Sequence, residues 1–222
     1  MNTVASIAIP SRRRALDALR AAILGCERCP ALVRCRSRVV PGDGAAPAAV
    51  AFVGIAPGRF GGDRTGIPFS GDRSGDLLRR MIGGSAIRRV FITNLVRCNP
   101  RDDRGRNRDP SRREIANCRT HLLAELELAR PRIVVCLGRM AWRELAGHGA
   151  IFDPRRGSIA AANGLQLYAM YHPGYVIRGA YSIRGYARDF RRLAAIAGCG
   201  TVSKGDIVHR CSSTLRENWL LS

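Results

Sequence analysis

Two sets of residues in this chain have the types and spacings to do chemistry. Cys26-Glu27-Arg28-Cys29 is a C-x2-C pair followed by Pro30, and Cys98 and Cys118 lie far downstream. Four thiolates brought together by the fold would suit a cubane iron–sulfur cluster or tetrahedral zinc, whereas the same residues kept apart would be small buried hydrophobes. Cys136 stands inside an apolar run and reads as core, and Cys35, Cys199 and Cys211 have no partner spacing. The second set follows four apolar runs: Gly54-Ile55-Ala56-Pro57-Gly58 after the first, Asn94 after the second, Gly138 after the third and His172-Pro173 after the fourth. If those runs are neighbouring strands, glycines, an amide and an imidazole converge on one edge of a sheet. The glycine-rich run from Gly58 to Gly66 looks superficially like a phosphate cradle but lacks the Lys-Ser/Thr pair of a P-loop, so close backbone approach to a ligand explains it better.

The runs themselves, residues 49–53, 90–93, 133–137 and 167–171, are short and rich in β-branched and apolar side chains, and they predict strands. Segments 74–82, 110–129 and 138–146 between them have helical character, which is the alternation of a parallel α/β sheet. The expected fold is a three-layer α/β/α sandwich with a central four-stranded parallel sheet. In such a sheet a ligand sits beyond the carboxyl ends of the strands, where the second set of residues falls. The long helix has a clear start: Asp109 can cap it, Pro110 suits a first helical position, and Ser111 with Glu114 has capping-box spacing. Leu122, Leu126 and Ala129 then recur at helical intervals, and residues 12–24 and 181–197 read as further helices.

The 222 residues suit one domain, expected over residues 1–198, with the patternless segment 199–222 read as a disordered tail. Hydrophobic residues make up 46% of the chain, yet no apolar run approaches the ~20 residues of a membrane span. The first ten residues lack the charged start and long apolar core of a secretory signal. The expectation is a cytoplasmic monomer that does not engage a membrane, in which cysteines serve ligation or packing rather than disulfides. A net charge of +20, from 37 Lys+Arg against 17 Asp+Glu, predicts attraction to a polyanion such as nucleic acid. Every basic residue but Lys204 is arginine, a skew that a GC-rich genome also produces.

Residues 54–72, Gly-Ile-Ala-Pro-Gly-Arg-Phe-Gly-Gly-Asp-Arg-Thr-Gly-Ile-Pro-Phe-Ser-Gly-Asp, resemble the first motif of the iron–sulfur uracil-DNA glycosylases, most closely the family 5 type. Arg64-Thr65-Gly66, Pro68-Phe69 and Gly71-Asp72 match that pattern. The resemblance continues through Thr93-Asn94-Leu95-Val96-Arg97-Cys98, Cys118, Leu137-Gly138-Arg139 and His172-Pro173, and spans residues 26–193. It implies a [4Fe–4S] cluster held by Cys26, Cys29, Cys98 and Cys118. It also implies hydrolysis of the bond between sugar and uracil, or another deaminated base, in DNA. Position 55 is Ile where family 4 enzymes carry a catalytic Glu, so the resemblance implies the family 5 solution through Asp72. Asn94 is the family 4 choice where family 5 usually has a small apolar residue, and Phe60 stands where family 5 commonly has His.

A glycosylase must hold a flipped base, recognise its edge, and stabilise both a cationic sugar and a departing base anion. Gly54, Ala56, Pro57 and Gly58 are the expected pocket backbone. Phe69 offers a face for stacking, or is a core ring after a turn. Asn94 carries the donor and acceptor that the O4/N3–H edge of uracil needs, though an asparagine ending a strand also serves as a turn former. His172 can donate to the base O2 as charge builds there. Asp72 can orient the attacking water and offset the sugar charge, or be a turn aspartate in Ser-Gly-Asp-Arg. Tyr175, Val176 and Ile177 with Arg178 read as an apolar wedge flanked by a cation, able to fill the gap left by an extruded nucleotide. Rival readings are a non-catalytic iron–sulfur module that binds nucleic acid, to which Ile55 points, and an enzyme of the same fold acting on hypoxanthine or xanthine.

Overall fold

A computed structural model describes residues 11–162 and 164–198; the tail expected at 199–222 lies outside the described residues. The strands are β1 (Asp43–Gly44), β2 (Val50–Gly54), β3 (Val90–Asn94), β4 (Ile133–Leu137), β5 (Ile159–Ala162) and β6 (Leu165–Met170), in the sheet order β1-β3-β2-β4-β6-β5. The four expected strands, in the order β3-β2-β4-β6, form its parallel centre. The sheet has two strands more than expected, since β1 and β5 pair antiparallel along its edges. β1 is only Asp-Gly, and β5 is Ile-Ala-Ala-Ala, three of whose residues are weak strand formers held by hairpin pairing with β6. The Asn-Gly pair at 163–164 was the sequence signal for that hairpin.

Successive side chains leave a strand on opposite faces, and this sorts the core into two layers. Val50, Phe52, Ile133, Val135 and Met170 pack with residues of α4 (Arg73–Gly83), α7 (Pro173–Ile177) and α8 (Ile183–Ile196). Ala51, Val53, Val134, Cys136 and Ala169 pack with residues of α1 (Arg12–Leu24), α5 (Arg112–Ala129) and α6 (Arg139–Ala146). Two short helices, α2 (Pro30–Cys35) and α3 (Gly62–Thr65), complete the order. α5 starts later than Pro110 because Ser111 caps it, not Asp109. Ser111 Oγ accepts from the Glu114 amide at 3.2 Å, and Glu114 Oε2 accepts from the Ser111 amide at 2.8 Å, closing a full capping box. The chain runs from β2 to β3 on one side and then crosses to β4 on the other side of β2. The carboxyl ends of β2 and β4 therefore bound the crevice where doubly wound sheets take ligands.

A buried ion pair fastens the end of β3 to α5. Arg97 Nη2 donates to Glu125 Oε2 at 2.6 Å, with the two side chains 1% and 2% exposed. Thr93 Oγ1 donates to the same oxygen at 2.6 Å and the Gly42 amide donates to Oε1 at 2.7 Å. The Arg97 guanidinium also donates to the Asn94 carbonyl. Glu125→Ala would leave a buried guanidinium without its anion, and the expected loss of stability is about 3–5 kcal/mol. Chemical denaturation reads it directly; a loss below about 1 kcal/mol, the value of an exposed pair, would show that the pair does not hold the fold.

Candidate active site at the carboxyl edge of the sheet

Parallel pairing of β2 with β3 sets Gly54 beside Asn94. No side chain fits at 54, since a Cβ there would stand 2.4 Å from Asn94 Oδ1 and 2.6 Å from the Phe69 ring. Asn94 is 1% exposed, and its Oδ1 accepts no hydrogen bond from any described residue. A buried acceptor left without a donor is costly, and a group bringing an N–H to this point would satisfy it. Phe69 reaches this point because its backbone takes a left-handed conformation, φ 50°, that bulky residues rarely adopt. Arg79 holds it there, donating from Nε to the Phe69 carbonyl at 2.7 Å and from Nη2 to the Pro68 carbonyl at 2.8 Å. The His172 ring lies 5.6 Å from the Phe69 ring, centroid to centroid. Phe69, Asn94 and His172 thus gather around Gly54.

His172 caps α7, its Nδ1 accepting from the Gly174 amide at 3.0 Å. That bond places the proton of the neutral ring on Nε2. Burial lowers the pKa from 6.5 to about 4, with the Arg178 cation adding to the drop and Asp72 opposing it. At neutral pH the ring is an uncharged donor. Asp72 caps α4, its Oδ1 accepting from the Gly75 amide at 2.8 Å. Its Oδ2 turns to the glycine-rich loop, where a Cβ on Gly61 would stand 2.1 Å away and one on Gly58 3.0 Å away. That oxygen accepts no hydrogen bond from a described residue.

The loop after β2 is anchored by a polar network that sequence reasoning missed. Asp63 is fully buried, accepting from the Ser37 amide at 3.0 Å and from the Arg101 guanidinium. Arg101 Nε donates to Asn99 Oδ1 at 2.7 Å, and Asn99 Nδ2 donates to the Pro57 carbonyl at 2.6 Å. Asn107 Oδ1 accepts from the Arg59 amide at 3.1 Å. Its only sequence signal was a carboxylate inside a glycine run. Ala56, expected among the pocket residues, packs its side chain against Val96, Ile115 and Cys118. The wedge expected at 175–178 is divided. Residues 173–177 form a helical turn, which sends Val176 into the core with Ile177 packed against it and leaves Tyr175 and Arg178 exposed.

The four cysteines come from the turn between α1 and α2, the segment after β3 and the second turn of α5. Burial pushes the Cys98 thiol up to about 11, and nearby Cys118 and Cys26 add to the rise. Cys118 is raised by burial too, with Cys29 and Cys26 contributing. Arg36 Nη1 donates to Cys98 Sγ and Asn117 Nδ2 to Cys29 Sγ, each at 3.3 Å. Among the described residues no three His, Cys, Asp or Glu side chains are grouped so as to hold a metal ion. The Cys35 thiol faces the Leu32 and Asn99 carbonyls instead, Cys136 is core as expected, and Cys199 and Cys211 lie outside the described residues.

A doubly wound α/β domain that gathers an aromatic ring, a buried amide, a neutral imidazole and a carboxylate near its switch point has the make-up of an enzyme crevice. The chain matches the uracil DNA glycosylase superfamily over residues 41–192, and it belongs to that superfamily. It is 36% identical to the type-5 uracil-DNA glycosylase of Pyrobaculum aerophilum, over 80% of this chain and 91% of that protein. It is 33% identical to the type-4 uracil-DNA glycosylase of Archaeoglobus fulgidus, over 82% and 94%. The type-5 uracil-DNA glycosylase of Mycobacterium leprae is 32% identical over 70% and 83%. Likeness to both types agrees with the mixed motifs. No described helix is long and apolar enough to cross a membrane.

The state of His172 is open to direct measurement. Imidazole nitrogen NMR is expected to show the neutral Nε2–H tautomer unchanged as pH falls through 6.5, with protonation only toward about 4. Because the folded pKa lies below the unfolded one, His172 binds fewer protons folded than unfolded between those values, so its contribution to stability falls as pH is lowered across that window. A midpoint near 6.5 would show that the ring is not held neutral by its surroundings.

Proposed function

We propose that the chain hydrolyses the N-glycosidic bond of uracil in DNA, the opening step of base excision repair. The observation that carries this reading is the buried, unpartnered Oδ1 of Asn94, set against Gly54 and Phe69. Uracil brings an N3–H to that oxygen and an O4 to the amide nitrogen, whereas cytosine presents the reversed edge. Phe69 stacks on the base. As the C1′–N1 bond breaks, its electron pair leaves with the base, and His172 Nε2–H donates to O2 where the charge collects. The water oxygen bonds to C1′, its proton passes to Asp72, and the same carboxylate opposes the cationic character of the sugar. Ile55 supplies no carboxylate, so Asp72 acts alone in this role. Gly58 gives Asp72 room, and Tyr175 and Arg178 are the exposed DNA contacts of their loop. The charge of +20 supports DNA as the partner.

The donor set of Cys26, Cys29, Cys98 and Cys118 fits a [4Fe–4S] cluster. The thiols of Cys98 and Cys118 are each raised by neighbouring cysteines of the set, which supports their lying near one another, and a cubane keeps its thiolates farther apart than one ion does. Two N–H groups already point at cysteine sulfurs, as cluster thiolates favour. When bound, the cluster supplies covalent ties between the N-terminal segment, the segment after β3 and α5.

Two outcomes test these roles. Asn is as good a helix cap as Asp, so Asp72→Asn keeps α4 while removing the charge. Single-turnover excision of uracil should fall by ~10²-fold or more with uracil-DNA binding nearly unchanged. Wild-type protein in excess that releases no uracil would sink the enzyme reading; an unimpaired Asp72→Asn variant would move the burden from this carboxylate. Separately, purified protein should be brown and carry iron with inorganic sulfide, lost on Cys→Ala at 26, 29, 98 or 118 and kept in Cys35→Ala. Stoichiometric zinc in colourless protein would overturn the cluster.

A further inference from the structure

We infer that Arg79 is a positioning residue of the base slot: it holds Phe69 in the left-handed conformation that lays the ring against Gly54, and the grip on uracil depends on it. The inference rests on the glycosylase reading above. At φ 50° a bulky residue such as Phe69 keeps its backbone only where the surroundings hold it. The chain to either side is fixed by other means. Thr65 Oγ1 accepts from the Ile67 amide at 3.2 Å and from Ser70 Oγ at 2.7 Å, and Asp72 caps α4. Pro68 and Phe69 have only Arg79, since among the described residues no other hydrogen bond reaches the backbone of either.

The sequence of α4 makes that helix a seat for the turn. Gly75 and Arg79 stand one turn apart on one face of it. At Gly75 a Cβ would run into the Phe69 carbonyl group, so the bare glycine lets the turn lie on the helix while its amide serves Asp72. Arg79 then closes over the turn. Its Nε and Nη2 form one edge of a rigid planar fork, which suits the carbonyls of two consecutive residues. A lysine ammonium has no such fork. Arg79 is exposed yet makes no ion pair with a described carboxylate, that of Asp76 on its own helix included, so its bonds serve the turn. Without them Phe69 returns to the negative φ that its Cβ favours, and the ring leaves Gly54. The ring faces the base alike before and during bond breaking, so the loss falls on binding of the base rather than on the chemical step.

Arg79→Lys tests this in the full chain, because it keeps the charge and the helix while removing the fork. Fluorescence anisotropy would compare two oligonucleotides of one sequence, one bearing 2′-fluoro-2′-deoxyuridine, whose glycosidic bond resists cleavage, the other a stable abasic-site analogue. The variant should bind the uracil analogue about tenfold more weakly, on the order of one lost stacking contact, and the abasic analogue less than about twofold more weakly. In a Phe69→Ala background the same change should add less than about twofold, since the ring it positions is gone. Equal losses on both oligonucleotides would make Arg79 a contact to the DNA backbone, and a loss that persists without the Phe69 ring would make its role general to the fold. Either overturns the proposal, as does no loss against a wild type that favours the uracil analogue. A further measurement needs no DNA: NMR signals of the His172 ring protons, beside the Phe69 ring, should shift in Arg79→Lys as they do in Phe69→Ala. Wild-type protein that bound the two oligonucleotides alike would defeat the glycosylase reading, whereas unmoved His172 signals would defeat the role of Arg79.

Discussion

Burying a carboxylate and a guanidinium together costs several kcal/mol per ion unless close geometry and further hydrogen bonds recover it. Arg97 and Glu125 meet that condition by drawing in everything around them: Thr93, the Gly42 amide and the Asn94 carbonyl all bond to one partner or the other. Gly42 has no room for a side chain, as a Cβ would stand 2.8 Å from Glu125 Oε2. The end of β3 cannot slide or tilt without stranding a charge in the core. Asn94 therefore keeps its carbonyl oxygen aimed beside Gly54, and Phe69 is set against the same glycine.

The chain reaches Cys98 four residues after Asn94, and the Arg97 amide approaches Cys118 on α5. One short segment thus serves the crevice beside Gly54 at one end and the cysteine group at the other, with the ion pair between them. This economy explains why such different chemistry occupies so little of the chain. A site supported by packed strands and a helix also holds its groups more closely than loops alone would.

Much of this was legible in the sequence where a residue's local pattern and its place in the fold agree. The parallel centre of the sheet and α1 announce themselves through apolar runs and amphipathic spacing, and the residues around Gly54 follow strand ends. What escaped depends on contacts distant along the chain. Asp63 looks like one more polar residue among glycines, yet it is buried by Ser37 and Arg101. Glu125 is one of three carboxylates in α5, and nothing in its local spacing announces that Arg97, just beyond β3, pairs with it. Val176 and Ile177 look like a wedge in an apolar string, and only the helical turn after His172-Pro173 shows which way each side chain leaves the backbone. β1 and β5 owe their existence to their neighbours rather than to their own residues.

The single hydrogen bond from Gly174 to His172 Nδ1 has a bearing on turnover. An imidazolium in the slot would pull harder on a departing base anion, and it would go on pulling after the bond had broken, slowing the enzyme on its own product. In the proposed reaction a ring kept uncharged gives an ordinary dipole instead, enough to ease departure but too weak to retain a base once it has picked up a proton from water. The ring then adds no positive charge of its own to that of Arg178 nearby, so in the proposed reaction the slot holds an anion less tightly than an imidazolium would.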